Sequence, residues 1–368
     1  MKNNKWNKIL ALLLGGSMVF GLAACGGDTG TTESPAGGSE SPAAETSTGG
    51  ETGGTEIAAD ALVVQVAYEN NPGEPVSDAA EEWERLAEER SNGTIDIQLF
   101  PSSQLGSKTD LIDQMLMGEG VVTICDGSFL AQYGAPEMDI VSAPYVFDNF
   151  DQCWKVIESD WWAEQTALME DNGIHIITTN WIFGERNLMT TSPVESVSDL
   201  QGMIIRTPNT ASYVRAFELM GAAPTAMAIG DVYTSLQQGT IDGLENTYST
   251  LYGSAYYEVA KYITTTKHVN MFAQWICSQS WWDSLTEEQQ TILSETGDEA
   301  GLINNDLQTS STEEYMQLMQ DNGVTIIDLT DEQRAEFADA SMALYEDPSI
   351  TGQWRDGLYE MIQEIIAE

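Results

Sequence analysis

Arg206 is the residue whose type and position point most directly to chemistry. It lies at the end of a predicted strand, residues 203–207, just before Asn209, which is predicted to cap a helix. In open α/β sheets, ligands bind beyond the carboxyl ends of the strands, and a helix N-terminus adds N–H donors and a positive dipole end. A guanidinium presents a planar fork that matches a carboxylate. The position therefore predicts a carboxylate-binding arginine, with a surface ion-pair partner as the alternative.

Two acidic residues also follow predicted strands. Glu69 comes after the strand at 61–68, and Asp126 follows the strand at 121–125. Because the carboxyl ends of parallel strands meet at one edge of a sheet, both side chains are placed to accept hydrogen bonds from ligand hydroxyls in one crevice. For each residue, a solvated loop is an equal alternative.

The elements that must position these residues alternate between strand and helix. Strand-like runs at 61–68, 94–100 and 121–125 are separated by segments of helical period, which is typical of an α/β layer with a mostly parallel sheet. Thr286 and Gln289 form a capping box that begins a helix predicted to continue to about Met319. Such a helix is long enough to run across two lobes.

The folded part of the chain is too large for one core, which predicts two lobes. We assign residues 61–183 and 272–310 to lobe I, and residues 184–271 and 311–368 to lobe II. The chain thus passes from the first lobe to the second and back, and a long helix then spans both. This order is typical of a hinged receptor.

The N-terminal segment predicts export. Three lysines precede an apolar run at 9–24, which is shorter than the roughly 20 residues that span a bilayer, although an uncleaved anchor is an alternative. The sequence LAAC at 22–25 resembles the bacterial lipobox, in which the cysteine is acylated and becomes the first residue of the mature chain. We therefore expect a lipoprotein signal peptide at 1–24. Acylated Cys25 and a flexible linker follow at 25–60, and they tether the protein outside the cytoplasm to the lipid bilayer of the cell membrane.

Composition excludes several classes of partner and site. The formal net charge is −44, so nucleic acid and anionic membrane surfaces are poor partners. Cys125, Cys153 and Cys277 have no metal-like or redox spacing, and their odd number argues against a disulfide framework. No nucleophile elbow, zinc-protease motif, Walker loop or dinucleotide fingerprint occurs, so we expect no cofactor and no catalytic residues. An exported lyase or hydrolase remains an alternative.

Seven segments follow one another along the chain: SNG at 91–93, FPSSQLG at 100–106, APYVF at 143–147, GMIIRTP at 202–208, DVYTSLQQG at 231–239, DGLEN at 242–246 and YEVAKY at 257–262. In this order they resemble the substrate-binding subunits of tripartite ATP-independent periplasmic (TRAP) transporters, and the resemblance covers roughly residues 62–345. The resemblance implies a two-lobed fold like that of periplasmic binding proteins. It also implies a receptor that closes on a small organic acid and delivers it to TRAP membrane subunits.

The resemblance also suggests roles for individual residues. In the family, the arginine at the position of Arg206 holds the substrate carboxylate. Arg186 matches a second arginine that often faces the cleft, with a structural role as the alternative. Asn246 ends the family's G-x-E-N motif, and its amide can both donate and accept hydrogen bonds. Trp181 is either an apolar wall of the site or a core residue, and Asn209 is either a ligand contact or only a helix cap.

Departures from the family pattern leave the substrate open. Leu244 stands where many relatives have Gln, Thr247 where many have Pro, and Ala228-Ile229 where a bulky residue often meets the ligand. Relatives that bind oxo acids through a cation have Trp where this chain has Asn246, so no metal is predicted. We expect a monocarboxylate with hydroxyl or other polar groups, such as a sugar acid, with dicarboxylates next. A ligand-binding sensor that serves a signalling partner is a further alternative.

Overall fold

A computed structural model describes residues 55–368 of the chain. The expectations for Cys25, for the signal peptide at 1–24 and for most of the linker at 25–60 lie outside the described residues. Within residues 55–368, none of the helices combines the length and apolar character that a bilayer span requires.

Residues 55–368 form nine strands and thirteen α-helices. The strands are β1 (Leu62–Ala67), β2 (Ile95–Phe100), β3 (Val121–Cys125), β4 (Ile174–Thr190), β5 (Ile204–Thr207), β6 (Ala223–Ala226), β7 (Gly243–Thr247), β8 (Tyr262–Ser278) and β9 (Thr325–Ile327). The helices are α1 (Pro75–Arg90), α2 (Lys108–Leu116), α3 (Gly127–Leu130), α4 (Phe150–Ile157), α5 (Asp160–Asp171), α6 (Ala211–Leu219), α7 (Val232–Gln237), α8 (Tyr248–Gly253), α9 (Gln279–Trp282), α10 (Glu287–Asp321), α11 (Asp331–Ser341), α12 (Pro348–Thr351) and α13 (Leu358–Ala367).

The strands make one continuous mixed sheet in the order β2-β1-β3-β8-β4-β7-β5-β6, with β9 also paired to β8. The outer strands of each half are parallel: β1 pairs with β2 and β3, and β5 pairs with β6 and β7. The long strands β4 and β8 are antiparallel and lie in the middle, so they belong to both halves. The expected α/β fold with two lobes is confirmed, and each lobe carries its own parallel end of the sheet.

Strand β4 is longer and less regular than the sequence pattern predicts. The pattern ends a strand near residue 179 and begins the return strand at 270, whereas β4 continues to Thr190 and β8 begins at Tyr262. The register between them shifts at four places, the last between Arg186 and Leu188. Such irregularities interrupt the two-residue alternation by which a strand is recognised, and they redirect side chains. Arg186 therefore lies within β4, whereas the pattern places it after the end of the strand near residue 179.

The long spanning helix is confirmed as α10, which has 35 residues and begins at the predicted capping box of Thr286 and Gln289. Its polar side chains replace hydrogen bonds that the irregular part of β4 lacks. Asn304 Nδ2 donates to the carbonyl oxygen of Ile182 at 2.7 Å, and Gln308 Nε2 donates to that of Phe183 at 2.9 Å. The helix thus supports the segment of β4 that leads into Arg186.

The C-terminal helix packs differently from the expected lobe assignment. Residues 311–368 are expected in lobe II, but Leu358, Ile362 and Ile366 of α13 are buried in the same apolar cluster as Leu111 and Cys153 of the first lobe. The helix has apolar residues at positions i, i+4 and i+8, which form one stripe, and only an apolar surface can cover that stripe. The end of the chain therefore completes the first lobe.

The three cysteines outside the N-terminal segment lie in the interior of the fold. Cys125, Cys153 and Cys277 are all buried, and they form no disulfide bonds in the described part of the chain. Burial raises the pKa of the Cys125 thiol well above its ordinary value, so this thiol is unreactive although it lies beside Asp126. These residues pack as small apolar side chains.

Candidate functional site

A cavity of about 730 Å³ lies where the carboxyl ends of β1, β3, β5 and β6 meet the central strands β4 and β7. This is the edge of the sheet at which the sequence predicts a ligand. Six charged side chains line the cavity: Glu69, Lys108, Asp110, Asp126, Arg186 and Arg206. Asn209 and Asn246 line it as well, so of the sequence-predicted site residues only Trp181 is absent from its wall.

Arg206, on β5, is only 4% exposed although it carries a charge. Its Nε and Nη2 atoms donate to the carbonyl oxygen of Met227 at 3.0 and 2.8 Å, which fixes the plane of the guanidinium. No carboxylate of residues 55–368 lies within ion-pairing distance of it. Burial lowers the pKa of Arg206, although nearby Glu245 acts in the opposite direction. Arg206 lines the cavity, so the remaining N–H groups of a buried cation without an ion-pair partner in residues 55–368 are available there.

Arg186 is equally buried but has a counter-charge. Its Nε and Nη2 atoms bind Oε2 and Oε1 of Glu245 at 2.6 and 2.7 Å, and its guanidinium lies over the ring of Tyr213. Nη1 contacts the sulfur of Met271 at 3.2 Å. Because Arg186 is neutralised by a neighbour on β7, it contributes hydrogen-bond donors to the cavity more than net positive charge.

Glu245 is the buried partner of this pair and does not line the cavity. It is 0% exposed, and Oε2 also contacts Nε2 of His268 at 3.1 Å. Burial by itself raises the pKa of this carboxyl, but Arg186 and the contact with His268 outweigh burial and lower the pKa to about 2. Glu245 thus holds Arg186 in place, and the second histidine of the chain belongs to the same network.

Asn246 lies next to Glu245 on β7, and alternation along the strand directs it to the other face. Its Oδ1 accepts a hydrogen bond from the backbone N–H of Thr247 at 2.9 Å. Its Nδ2 makes no hydrogen bond within residues 55–368 while Asn246 is 5% exposed and lines the cavity. The amide N–H groups are therefore available to a ligand acceptor.

Asp126 caps the short helix α3 at the end of β3. Its Oδ1 accepts hydrogen bonds from the backbone N–H of Ser128, from the Ser128 hydroxyl and from the hydroxyl of Ser142. In the described chain, Oδ2 has no hydrogen-bond partner and no cation within ion-pairing distance. The carboxylate is thus fixed by one oxygen and presents the other to the cavity.

Glu69 forms an ion pair that sequence reasoning missed. Its Oε2 lies 3.6 Å from Nζ of Lys108, and Oε1 accepts from the Lys108 backbone N–H at 3.3 Å. Lys108 is 8% exposed and lies over the ring of Phe129. A signal did exist, because Ser107 and Asp110 form a capping box that places Lys108 at a helix N-terminus beside the first strand end.

Two predicted site residues have other environments. Trp181 is completely buried, donates to the carbonyl oxygen of Gly297 and packs between Trp83 and Trp275, so it belongs to the core. A large ring inside the sheet–helix interface cannot reach the cavity. Asn209 is exposed at the cavity rim, and the N-cap position of α6 is Thr210, whose side chain makes no capping hydrogen bond within the described residues.

Two buried hydrogen bonds join residues that the sequence assigns to different lobes. Ser212 Oγ donates to Asp139 at 2.6 Å; burial raises the pKa of Asp139 to about 7, although this hydrogen bond acts against it. Thr250, which lines the cavity, donates through Oγ1 to the buried carboxyl of Glu74 at 3.0 Å. These contacts hold the two lobes together.

Comparison with known proteins agrees with this geometry. A family model described as bacterial extracellular solute-binding protein, family 7, matches residues 66–350. Among solved structures, the chain is similar to a TRAP periplasmic solute-binding protein from Ochrobacterium anthropi with bound L-fuconate. That match has 37% identity and a TM-score of 0.80, and it covers 83% of this chain and 99% of the other.

Two further solved structures have comparable similarity. A TRAP periplasmic solute-binding protein from Actinobacillus succinogenes with bound L-galactonate is 33% identical with a TM-score of 0.80, and the match covers 83% of this chain and 99% of that chain. A TRAP periplasmic solute-binding protein from Fusobacterium nucleatum with bound sn-glycerol-3-phosphate is 30% identical with a TM-score of 0.78. That match covers 83% of this chain and 97% of the other.

Proposed function

The chain belongs to the bacterial extracellular solute-binding protein family 7, and we propose that it captures a hydroxylated organic acid through Arg206 for delivery to TRAP membrane subunits. Members of this family are extracytoplasmic solute receptors of TRAP transporters, not enzymes. The alternative of an exported lyase or hydrolase is therefore set aside.

One observation carries the proposal: Arg206 is buried at the cavity without a counter-charge among residues 55–368. A buried, unpaired charge costs free energy, and the cost is recovered when an anion binds to it. The Met227 carbonyl oxygen holds the guanidinium by two N–H groups, so its orientation is fixed before a ligand arrives. A fixed fork loses little entropy on binding a carboxylate, which favours affinity.

The other polar groups of the cavity suit a ligand with hydroxyl groups. Oδ2 of Asp126 accepts from a hydroxyl, and Nδ2 of Asn246 donates to one. The similar proteins of known structure bind L-fuconate and L-galactonate, which are sugar acids, and one binds sn-glycerol-3-phosphate. We therefore propose a sugar acid as the ligand, with Arg206, Arg186, Asn246, Asp126, Glu69 and Asn209 as its contacts.

A matched pair of ligands tests the carboxylate requirement. Galactonate and galactitol share a six-carbon polyol skeleton and differ at one end, where galactonate has a carboxylate and galactitol a hydroxymethyl group. Titration calorimetry on the purified protein is expected to show binding of galactonate, or of another aldonate in a panel of isomers, and no binding of the corresponding neutral polyol. Equal affinity for an aldonate and its polyol would refute the proposal.

We also propose that Cys25 anchors the protein, because the LAAC sequence at 22–25 has the form of a lipobox. The linker up to residue 60 would then hold the receptor close to its membrane subunits. Stable anchoring takes more than one acyl chain. In cell fractionation, the unchanged protein should sediment with membranes and incorporate labelled palmitate. Cys25→Ser should abolish both, and Thr32→Ser, a neutral change in the linker, should abolish neither. Membrane association of Cys25→Ser would contradict the anchor.

A further inference from the structure

Of the six charged side chains that line the cavity, Arg206, Asp126 and Asp110 have no ion-pair partner within residues 55–368. Lys108 is paired with Glu69, and Arg186 is paired with Glu245. Arg206 has no acidic partner within residues 55–368, and in the same part of the chain Asp126 has no basic one. In this part of the chain, the cavity therefore has one cation without an ion-pair partner, Arg206, and two acids without one, Asp126 and Asp110.

Asp126 is held so that it cannot easily withdraw. Three hydrogen bonds from Ser128 and Ser142 converge on Oδ1, and the residue is 3% exposed. A side chain fixed in this way keeps Oδ2 at the cavity wall. Asp110, the other acid of the lining that is not ion-paired, is used by the helix cap of Ser107. A ligand carboxylate cannot form a favourable ion pair with either of these acids.

On the premise of the proposed function, we infer that the cavity selects acids with a single negative charge and rejects dianions, with Asp126 as the residue that sets this limit. The one ligand carboxylate that Arg206 neutralises is stabilised. In the lining described here, a second anionic group would meet no unpaired cation. It would instead face the fixed carboxylate of Asp126, and unpaired like charges in a desolvated site weaken binding strongly.

The same residue favours a hydroxylated acid. Oδ2 of an ionised carboxylate is an acceptor only, so it binds a hydroxyl group well and an anionic oxygen poorly. A ligand with its carboxylate at Arg206 and its hydroxyl groups toward Asp126 forms an ion pair with the arginine and hydrogen bonds with the carboxylate. The strongly acidic protein, at a formal −44, adds long-range repulsion that grows with ligand charge.

A series of three ligands isolates the effect of charge. Galactitol, galactonate and galactarate share one carbon skeleton and carry zero, one and two negative charges. Kd is measured by titration calorimetry near pH 7.5, with gluconate, malate, succinate and glycerol 3-phosphate as further members of the panel. We expect the tightest ligand to be a monoanion and its matched dianion to bind roughly 100-fold more weakly or worse.

Asp126→Asn tests the residue itself. Asparagine keeps an oxygen for the hydrogen bonds from Ser128 and Ser142 and removes the charge, so the preference for the monoanion over the dianion should fall by about tenfold or more. Asp306→Asn is the control, because Asp306 is exposed on α10 and the change removes the same unit of net charge. The control should leave the preference unchanged.

The outcomes separate the two proposals. A dianion that binds the unchanged protein as tightly as its matched monoanion overturns this inference and leaves the proposed function standing. A preference that Asp126→Asn and Asp306→Asn alter equally overturns the role of Asp126. If no acid binds better than its neutral polyol, the proposed function fails and this inference fails with it. The first comparison needs no variant, so it holds even if Asp126→Asn does not fold.

Discussion

Arg206→Ala is expected to weaken the binding of the acid ligand by roughly 30-fold or more, which corresponds to the 2 kcal/mol or more lost when one partner of a buried charge pair is removed. The variant leaves the ligand carboxylate in a cavity whose other cations, Lys108 and Arg186, are already paired. Titration calorimetry with the tightest acid of the panel gives the two dissociation constants. The neutral polyol, which is not expected to bind the unchanged protein, should not bind the variant either.

The same variant should not destabilise the protein without ligand. Arg206 is 4% exposed, and within residues 55–368 its side chain has only the Met227 carbonyl oxygen as a hydrogen-bond partner. Its burial therefore costs desolvation free energy that no ion pair of these residues offsets. We expect the melting temperature of ligand-free Arg206→Ala to equal or exceed that of the unchanged protein. Arg206→Lys keeps the charge but loses the planar fork, and its affinity should lie between the two.

Arg85→Ala is the matched control, since Arg85 is exposed on α1 and its ion pairs lie at the surface. This control should bind the acid with unchanged affinity. Were Arg206→Ala to bind the acid as tightly as Arg85→Ala does, the carboxylate would have to be held elsewhere. A large fall in ligand-free stability of Arg206→Ala would instead assign Arg206 a structural role.

Glu245→Gln is expected to lower the free energy of unfolding by about 3–5 kcal/mol, because it leaves Arg186 buried without its counter-charge. The substitution preserves shape and removes the charge that both Arg186 and His268 contact. Chemical denaturation of the two proteins under the same conditions measures the difference. The loss is much larger than expected for a surface pair, since Glu245 is fully buried and Arg186 is 4% exposed.

Glu82→Gln supplies the comparison, because Glu82 pairs with Arg85 on the exposed face of α1. Surface pairs contribute about 0–1 kcal/mol, so this variant should stay within about that range. The double variant Arg186→Met with Glu245→Gln removes both charges and should regain part of the loss. Should Glu245→Gln prove as stable as Glu82→Gln, the pair does not hold the site together. If Glu245→Gln does not fold, accumulation of the folded double variant would show that the unpaired charge of Arg186 causes the loss of stability.

Local signals in the sequence determined a large part of the fold. The capping box at Thr286 predicts the start of α10, and the structure has it there. The alternation of strand and helix predicts the α/β class, and the position of Arg206 at a strand end predicts a residue at the edge where the cavity lies. Such features depend on residues a few positions apart, so a linear sequence contains all the information they need.

Contacts between segments that are distant along the chain could not be predicted from the sequence. Whether Arg186 is a ligand contact or an ion-pair partner was open, and the pairing with Glu245, 59 positions later, decides that it is held by a counter-charge. Lys108 was not singled out, because its pairing with Glu69 depends on how α2 docks beside β1. A tryptophan at position 181 suits a cavity wall and a core equally well, so residue type does not decide between them. The packing of α10 against β4 buries Trp181 in the core.

The sequence alone therefore determined the family, the α/β class and the presence of an arginine suited to a carboxylate, since each follows from residue type and local order. Only the tertiary structure decided which charges remain unpaired. Arg206 and Arg186 are the same residue type, both are 4% exposed, and both line the cavity. Among the residues that the structure describes, a carboxylate lies within ion-pairing distance of Arg186 and none lies within that distance of Arg206. The docking of β7 against β4 brings Glu245 to Arg186.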